Sequence, residues 1–176
     1  KLAQRKDNAR VDVPKERQFL GFESYKQLID TDVDIVLLCS PPNFRPDHME
    51  YAVSKGKHIF CEKPVAIDIP GLKRVMESVK AAKEQNLNIV SGFCFRYLVP
   101  NREIMKRVSG GDIGDVRSVT TFRCGGENTV KPRLAQYNEM QYQLKNWYYF
   151  QRYAGDLIIE QTVHSLDYMN WIMQNR

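Results

Sequence analysis

Lys63 is the residue whose position in the sequence most favours chemistry. It follows the short apolar run 58–61 and precedes Pro64, and Gly56 just upstream can end a helix. The run is typical of a buried strand, which would place Lys63 at the carboxyl end of that strand. In an open α/β sheet, ligands bind in the crevice outside the carboxyl ends of the strands. The pattern makes Lys63 a candidate for chemistry, and an ordinary solvated turn at Glu62 and Lys63 agrees with this stretch equally well.

A second group of candidate residues lies in a helix predicted at 155–173. Its members share one helical face, because they are separated by three or four residues: Glu160, His164, Asp167, Tyr168 and Trp171. A His with a carboxylate one turn before it and another one turn after it can be oriented and tuned in basicity. General-base catalysis by such a His typically contributes about 10²–10⁴-fold in rate.

Two alternatives for His164 remain open at this point. Structural hydrogen-bond networks also collect His and carboxylates. A Glu/His/Asp metal site is possible by spacing, although no Cys or second His lies nearby in the sequence.

The elements that must position these residues alternate along the chain. Strands are predicted at 34–39, 58–61 and 87–93, the first of them apolar throughout, as in a strand covered on both faces. Helices are predicted at 46–55 and 69–85, the second with Asp68 as N-cap. This alternation predicts an α/β fold with a doubly wound (Rossmann) parallel sheet joined by right-handed crossovers.

A glycine-rich break at 109–114 predicts a domain boundary. Residues 1–110 and 111–176 are therefore assigned to separate domains, the second with a strand at 116–124. The polar stretch 125–146 has no clear period and is interpreted as a loop or substrate lid.

Composition excludes several classes of protein. The chain has 176 residues, 43% hydrophobic and 27% charged, which is ordinary for a globular protein. A net charge of +5 without a basic run argues against a dedicated nucleic-acid binder. No apolar run approaches the roughly 20 residues of a membrane span, and the first residues have no secretory character.

The cysteines indicate no metal or redox site. The sequence has four of them, at 39, 61, 94 and 124, and no C-x-x-C pair. We expect buried structural thiols, a reducing compartment and a cytoplasmic location.

In their order, these motifs resemble the NAD(P)-dependent glucose–fructose oxidoreductase / inositol dehydrogenase (Gfo/Idh/MocA) family. The resemblance rests on 34–42, His48, the stretch from Gly56 to Pro64, Phe95-Arg96-Tyr97, Gly111-Asp112-Ile113-Gly114 and 155–171. Glu-Lys-Pro at 62–64 is a weak signal by itself, whereas the ordered set is specific.

The resemblance implies that residues 1–110 are a partial dinucleotide-binding Rossmann domain and that 111–176 are the start of an α+β substrate and dimerisation domain. It implies hydride transfer between a sugar or polyol carbon and nicotinamide C4. It assigns Lys63 as the catalytic lysine, His164 as the general acid/base and Glu160 as a substrate-orienting or catalytic carboxylate. Glu160 stands where the family commonly has Asp, which is one methylene shorter. The expected cofactor is NAD or NADP, with NAD favoured, and its expected neighbours are Ser40, Pro41, Pro42, Asn43, His48, Glu62, Lys63 and Arg96. We expect no metal, nucleic-acid or membrane partner, and a homo-oligomer when full length.

The sequence departs from the family pattern in two important respects, of which one is that it stops at Arg176, before most of the second-domain sheet could form. No Gly-rich G-x-G-x-x-G turn precedes residue 34, and the glycines at 110, 111 and 114 lie at the predicted domain junction. We therefore expect an internal piece of a longer enzyme that by itself binds dinucleotide weakly, because that turn supplies the pyrophosphate site. An NAD-dependent glycosidase of the same superfamily and a non-catalytic sugar- or partner-binding relative are the alternative functions.

Overall fold

A three-stranded parallel sheet forms the core of the structure, a computed structural model that describes residues 13–126 and 128–173. Its strands are β1 (Ile35–Leu38), β2 (His58–Cys61) and β3 (Ile89–Ser91), in the order β1-β2-β3. Ile35 pairs with His58, and Cys61 pairs with Ser91. The predicted parallel α/β sheet is confirmed, and its strands all end at one edge.

Helices connect the strands and cover one face of the sheet. The chain passes through α1 (Ser24–Ile29), α2 (Arg45–Ser54) and α3 (Ile69–Glu84), and α2 packs against α3 and against both β1 and β2. The buried core joins Val36 and Ile59 from the strands to Met49 of α2. Since crossovers in one direction are right-handed, α2 and α3 fall on the same side.

The other face of β1 differs from the prediction for 34–39. Alternate residues of β1 are buried, and Leu37 is 67% exposed. Within the described residues only one face of β1 is covered. The prediction that its continuous apolar run is covered on both faces was therefore wrong for this part of the chain.

Local capping explains where α3 begins. The Asp68 carboxylate accepts a hydrogen bond from the Gly71 N–H at 2.7 Å, which satisfies one of the free donors of the first helical turn. The predicted N-cap is confirmed. It matters for the site because α3 starts only a few residues after Lys63.

The later part of the described chain is helical. It contains α4 (Val99–Gly110), α5 (Glu139–Lys145), α6 (Gln151–Ala154), a π-helical turn (Ile158–Thr162) and α7 (Val163–Ile172). Gly111 follows α4 with a φ of 88°, at the predicted junction. The division into two domains there stays a prediction.

Two predictions for this part were wrong. The strand at 116–124 is not formed, since no strand is described between 92 and 173 that could pair with it, and Phe122 there is 86% exposed. The polar stretch contains α5, which Asn138 and Gln141 start with a capping box. The last predicted helix, 155–173, is formed from 156 to 172 and includes the π-helical turn.

The cysteines also differ from expectation. Cys61 is buried in the core, and burial raises its pKa to about 11. Cys39, Cys94 and Cys124 are exposed. In the part of the chain that the structure describes, no helix has both the length and the apolarity to cross a membrane.

Candidate active site

Lys63 lies directly after β2 and points to the C-terminal helices. Its Nζ donates to the Glu160 main-chain oxygen at 2.5 Å and to Glu160 Oε1 at 2.9 Å. The two side chains are only 13% and 7% exposed. The hydrogen-bonded ion pair links two residues that are 97 positions apart in the sequence. Lys63 is thus a held, largely buried ammonium group and not part of a solvated turn.

Glu160 lies in the π-helical turn. Burial raises the pKa of its carboxyl group, and the nearby Lys63 and Arg45 cations partly offset that rise. Its Oε1 accepts from Lys63, whereas its Oε2 is buried without a hydrogen-bond partner among the described protein groups. One carboxylate oxygen therefore holds the lysine and the other can accept from a ligand.

His164 packs against aromatic rings at the start of α7. Its ring centroid lies 4.8 Å from that of Phe95 and 6.3 Å from that of Phe93. Its Nδ1 is buried and finds no partner within the described residues. A buried ring nitrogen without a partner is unusual in a structural histidine, because an unpaired buried polar group is costly.

Burial lowers the pKa of His164 below its ordinary value of 6.5, and the charges of Lys63 and Arg123 lower it further. Asp167 and Glu62 act in the opposite direction but do not cancel this effect. Lys63 and His164 thus act on each other electrostatically, and the imidazole is held in its neutral form at neutral pH.

Asp167 does not hold His164, contrary to the prediction from helical spacing. Its carboxylate accepts from Arg96 Nε at 2.9 and 2.8 Å, and Arg96 lies over the Trp171 ring at 5.4 Å. No hydrogen bond within the described residues joins His164 to Asp167 or Glu160. The cause is long-range pairing, since each carboxylate meets a cation from the other part of the chain.

Glu62 is positioned by a glycine of the neighbouring strand end. A Cβ on Gly92 would lie 2.9 Å from Glu62 Oε2, so a side chain at position 92 would require the Glu62 carboxylate to shift. The Lys63 N–H donates to the same oxygen at 3.3 Å. The side chain of Glu62 is thus directed to the carboxyl edge of the sheet.

The residues after β1 form the expected cofactor side of the edge. Ser40 Oγ and His48 Nδ1 are 3.2 Å apart, and the His48 ring stacks on Tyr25 at 4.1 Å. Pro42 is fully buried, and Asn43 Oδ1 is buried without a partner in the described residues. His48 is held by protein groups, whereas Asn43 retains a free acceptor. The cofactor contacts stay predictions.

Arg45 is a site residue that the motifs did not indicate. It is 3% exposed, and it donates to the main-chain oxygens of Ser40, Glu62 and Pro64. The only local signal is that Arg45 begins α2, where a cation opposes the helix dipole. An arginine at that unfavourable position indicates that its side chain binds acceptors outside the helix, but the sequence does not show which ones.

An open cavity of about 940 Å³ lies beside the π-helical turn. It is lined by Arg123, Gly125, Tyr148 and Gln161 among others. The Arg123 guanidinium donates to Gln161 Oε1 at 3.0 and 2.7 Å. Part of the stretch interpreted as a lid therefore borders a space next to the candidate residues.

The described residues contain no arrangement of side chains that suits a metal ion. No group of three or more His, Cys, Asp or Glu side chains suited to a metal ion occurs in residues 13–126 and 128–173. Glu160, His164 and Asp167, which spacing allowed as ligands, have the separate neighbours described above.

Residues 2–93, more than half of the chain, match the model of the Gfo/Idh/MocA oxidoreductase family, described as having an NAD-binding Rossmann fold. The chain belongs to this family. The match includes β1, β2, β3 and Lys63, so the resemblance noted from the ordered motifs is confirmed over the sheet.

Individual relatives agree with this assignment. Myo-inositol 2-dehydrogenase of Thermotoga maritima is 26% identical over 162 residues, covering 89% of this chain and 42% of that protein. 2,7-anhydro-N-acetylneuraminate hydratase of Escherichia coli is 28% identical over 117 residues, covering 66% and 31%. The structure of myo-inositol 2-dehydrogenase from Lactobacillus plantarum has the same fold, with a TM-score of 0.62 at 24% identity over 85% and 40% of the two chains. The chain thus spans less than half the length of these proteins.

Proposed function

We propose that the whole protein is an NAD(P)-dependent dehydrogenase of sugars or polyols, in which Lys63 and His164 act as the catalytic pair and Glu160 holds the lysine. NAD is favoured as the cofactor. The observation that carries the proposal is the buried Lys63–Glu160 ion pair, which lies beside a neutral His164 with an unpartnered ring nitrogen.

This arrangement matches what alcohol oxidation requires. The reacting hydroxyl must give its proton to a base while a positive group favours the developing alkoxide. His164 is the base, because its lowered pKa leaves the imidazole free to accept a proton at neutral pH. Lys63 is the positive group, and the bond to Glu160 keeps its ammonium oriented.

The described residues fit a bound substrate and a bound dinucleotide. Glu160 Oε2 and His164 Nδ1 are buried acceptors that a substrate hydroxyl can satisfy. Asn43 Oδ1 offers a third acceptor after β1, next to Ser40, Pro41 and Pro42. The nicotinamide supplies the hydride acceptor when it is bound, and the protein supplies position and charge.

Substitution of Lys63 in the whole protein tests the assignment. We expect Lys63→Met to lower kcat for polyol oxidation by at least about 10²-fold, as removal of one group that stabilises an oxyanion does. NADH formation is followed by absorbance with myo-inositol and a panel of sugars, and NADH binding by fluorescence. Lys80→Met on the exposed face of α3 is the control. Turnover of Lys63→Met within a few-fold of wild type would contradict the proposal.

A second candidate function keeps the same residues but ends in elimination. The relative named as a hydratase supports considering it. An NAD-dependent glycosidase would release an aglycone without net NADH, whereas a dehydrogenase accumulates NADH. Product analysis on free sugars and on glycosides separates them, and sugar binding without either product would indicate a non-catalytic relative. Homo-oligomerisation and the cytoplasmic location stay predictions.

A further inference from the structure

We propose that Arg45 is the positioning residue for Lys63, clamping the peptide on both sides of the lysine so that its ammonium group meets Glu160 and the substrate. The inference rests on the proposed function. It adds a residue that no motif of the sequence singled out.

The contacts of Arg45 surround Lys63 in the chain. Nη1 donates to the Glu62 main-chain oxygen at 3.0 Å and to the Pro64 main-chain oxygen at 2.5 Å. These two oxygens belong to the residues directly before and after Lys63. A single guanidinium nitrogen thus holds the backbone on both sides of Lys63. This restricts the position of the Lys63 Cα atom, from which the side chain extends.

The same guanidinium also fixes a second loop. Its Nε donates to the Ser40 main-chain oxygen at 2.9 Å. Ser40 follows β1 and Glu62 follows β2, so Arg45 ties together two strand ends at the edge where ligands bind in this fold. The residues assigned to the cofactor and the lysine assigned to the chemistry are therefore held by one side chain.

Arginine suits this task better than lysine. Its planar guanidinium presents donors in a rigid fork, whereas an ammonium is a compact point charge on a flexible stem. Arg45 itself is 3% exposed, its bonds to the Ser40 and Glu62 oxygens are partly buried, and its bond to the Pro64 oxygen is buried, so water is a poor substitute donor there. Replacement of the fork by another side chain would leave at least one of them without its donor.

The charge of Arg45 contributes in a second way. It lies close enough to Glu160 to lower the pKa of that carboxyl group, against the effect of burial. The ionised form of Glu160 is the one that holds Lys63 most strongly. Arg45 thus helps to position Lys63 in two ways: it holds the main chain on both sides of the lysine, and it favours the ionised form of Glu160.

Two substitutions in the whole protein separate geometry from charge. Arg45→Lys keeps a cation but loses the fork, and Arg45→Gln loses both. We expect kcat of each to fall by about 10²-fold, the effect of displacing a catalytic group by around 1 Å. Because Lys63 is assigned a role in the transition state, kcat/KM should fall with kcat while KM for the polyol stays close to wild type.

The pH profile gives a further readout that a purely structural role would not change. In Arg45→Gln the acid limb of kcat should move to higher pH, because Glu160 must be ionised to hold Lys63, loses a cation that favours that form, and then contributes to this limb together with His164. In Arg45→Lys that limb should stay in place. Arg74→Lys is the matched control, since Arg74 is an exposed arginine that pairs with Asp47 and Glu50 of α2.

Each outcome supports or overturns the inference. Loss of kcat with retained KM, together with the shift in Arg45→Gln, supports it. Wild-type kcat per folded molecule in Arg45→Lys and Arg45→Gln overturns it, as does failure to recover either variant folded, which would assign Arg45 to stability alone. If Lys63→Met abolishes turnover while the Arg45 variants keep it, the proposed function stands and only this inference fails. Turnover in Lys63→Met overturns both.

Discussion

At the scale of single residues, the basicity of His164 is set by burial and by cations, not by the carboxylates of its own helix. Desolvation lowers its pKa most, followed by Lys63 and Arg123. Arg123 approaches from a different segment, with its guanidinium 5.6 Å from the centre of the Phe95 ring, which in turn packs on His164. An exposed side chain far along the sequence therefore influences the proposed base.

Neutralising Arg123 should shift the pH dependence of oxidation. In the proposed function neutral His164 is the base, so the acid limb of kcat/KM in the wild type should lie below the ordinary histidine pKa of 6.5. Without the Arg123 cation the pKa of His164 rises and the limb moves to higher pH in Arg123→Met. Arg123→Lys keeps the charge and should leave it in place. Steady-state rates between pH 5 and 9 measure this, and an unmoved limb in Arg123→Met would refute the coupling.

At the scale of elements, the turn into the π-helical segment depends on Gly155. This residue follows α6 with a φ of 74°. That left-handed backbone conformation is energetically unfavourable for residues that have a side chain. A Cβ there would lie 2.9 Å from Ile67 Cβ and 3.2 Å from Ile159 Cβ. The segment that carries Glu160 is thus packed closely against the loop that follows Lys63.

Gly155→Ala should destabilise the protein by about 1–3 kcal/mol, because backbone strain and a steric clash act together. Gly110→Ala is the control, since that residue ends α4 with a helical backbone and its nearest contact would be 3.8 Å away. The midpoints of urea unfolding measure the difference. Equal midpoints for the two variants would show that the turn does not require glycine.

At the scale of the whole molecule, two ion pairs join the sheet region to the C-terminal helices. Lys63 pairs with Glu160 across 97 residues, and Arg96 pairs with Asp167 across 71. The first pair is buried, and removal of one member of a buried pair leaves an uncompensated charge.

Lys63→Met should therefore lower stability by about 3–5 kcal/mol at pH 8. The loss should be smaller at pH 5. Burial raises the pKa of Glu160 in the folded state, and the loss of Lys63 removes a cation that opposes this rise, so in the variant Glu160 stays protonated and uncharged to a higher pH than in the wild type. The stability associated with that protonation is present at low pH and disappears as the pH rises through the folded-state pKa. Urea unfolding at both pH values tests this. The double variant Lys63→Met/Glu160→Gln should lose the pH dependence, and persistence of that dependence would assign it to another group.

The amino-acid sequence by itself determined the elements that rest on local pattern. The apolar runs and their helical connections specified a parallel sheet, and Asp68 specified the start of α3 through a hydrogen bond three residues away. The placement of Lys63 at a strand end followed from the same periodicity, and the motif order identified the family. These features depend on neighbours in the chain, which a sequence displays directly.

Only the tertiary structure decided the contacts between distant segments. Helical spacing placed Glu160 and Asp167 beside His164, but each carboxylate is bound to a cation that arrives from 97 or 71 residues away. In the sequence, Arg45 looks like any polar residue at the start of a helix. Only the structure shows that it binds the main chain after β1 and after β2. The apolar alternation at 116–124 predicted a strand that lacks a described partner. Pairing, burial and close approach are properties of three-dimensional neighbours, and local pattern does not specify which neighbours a residue will have.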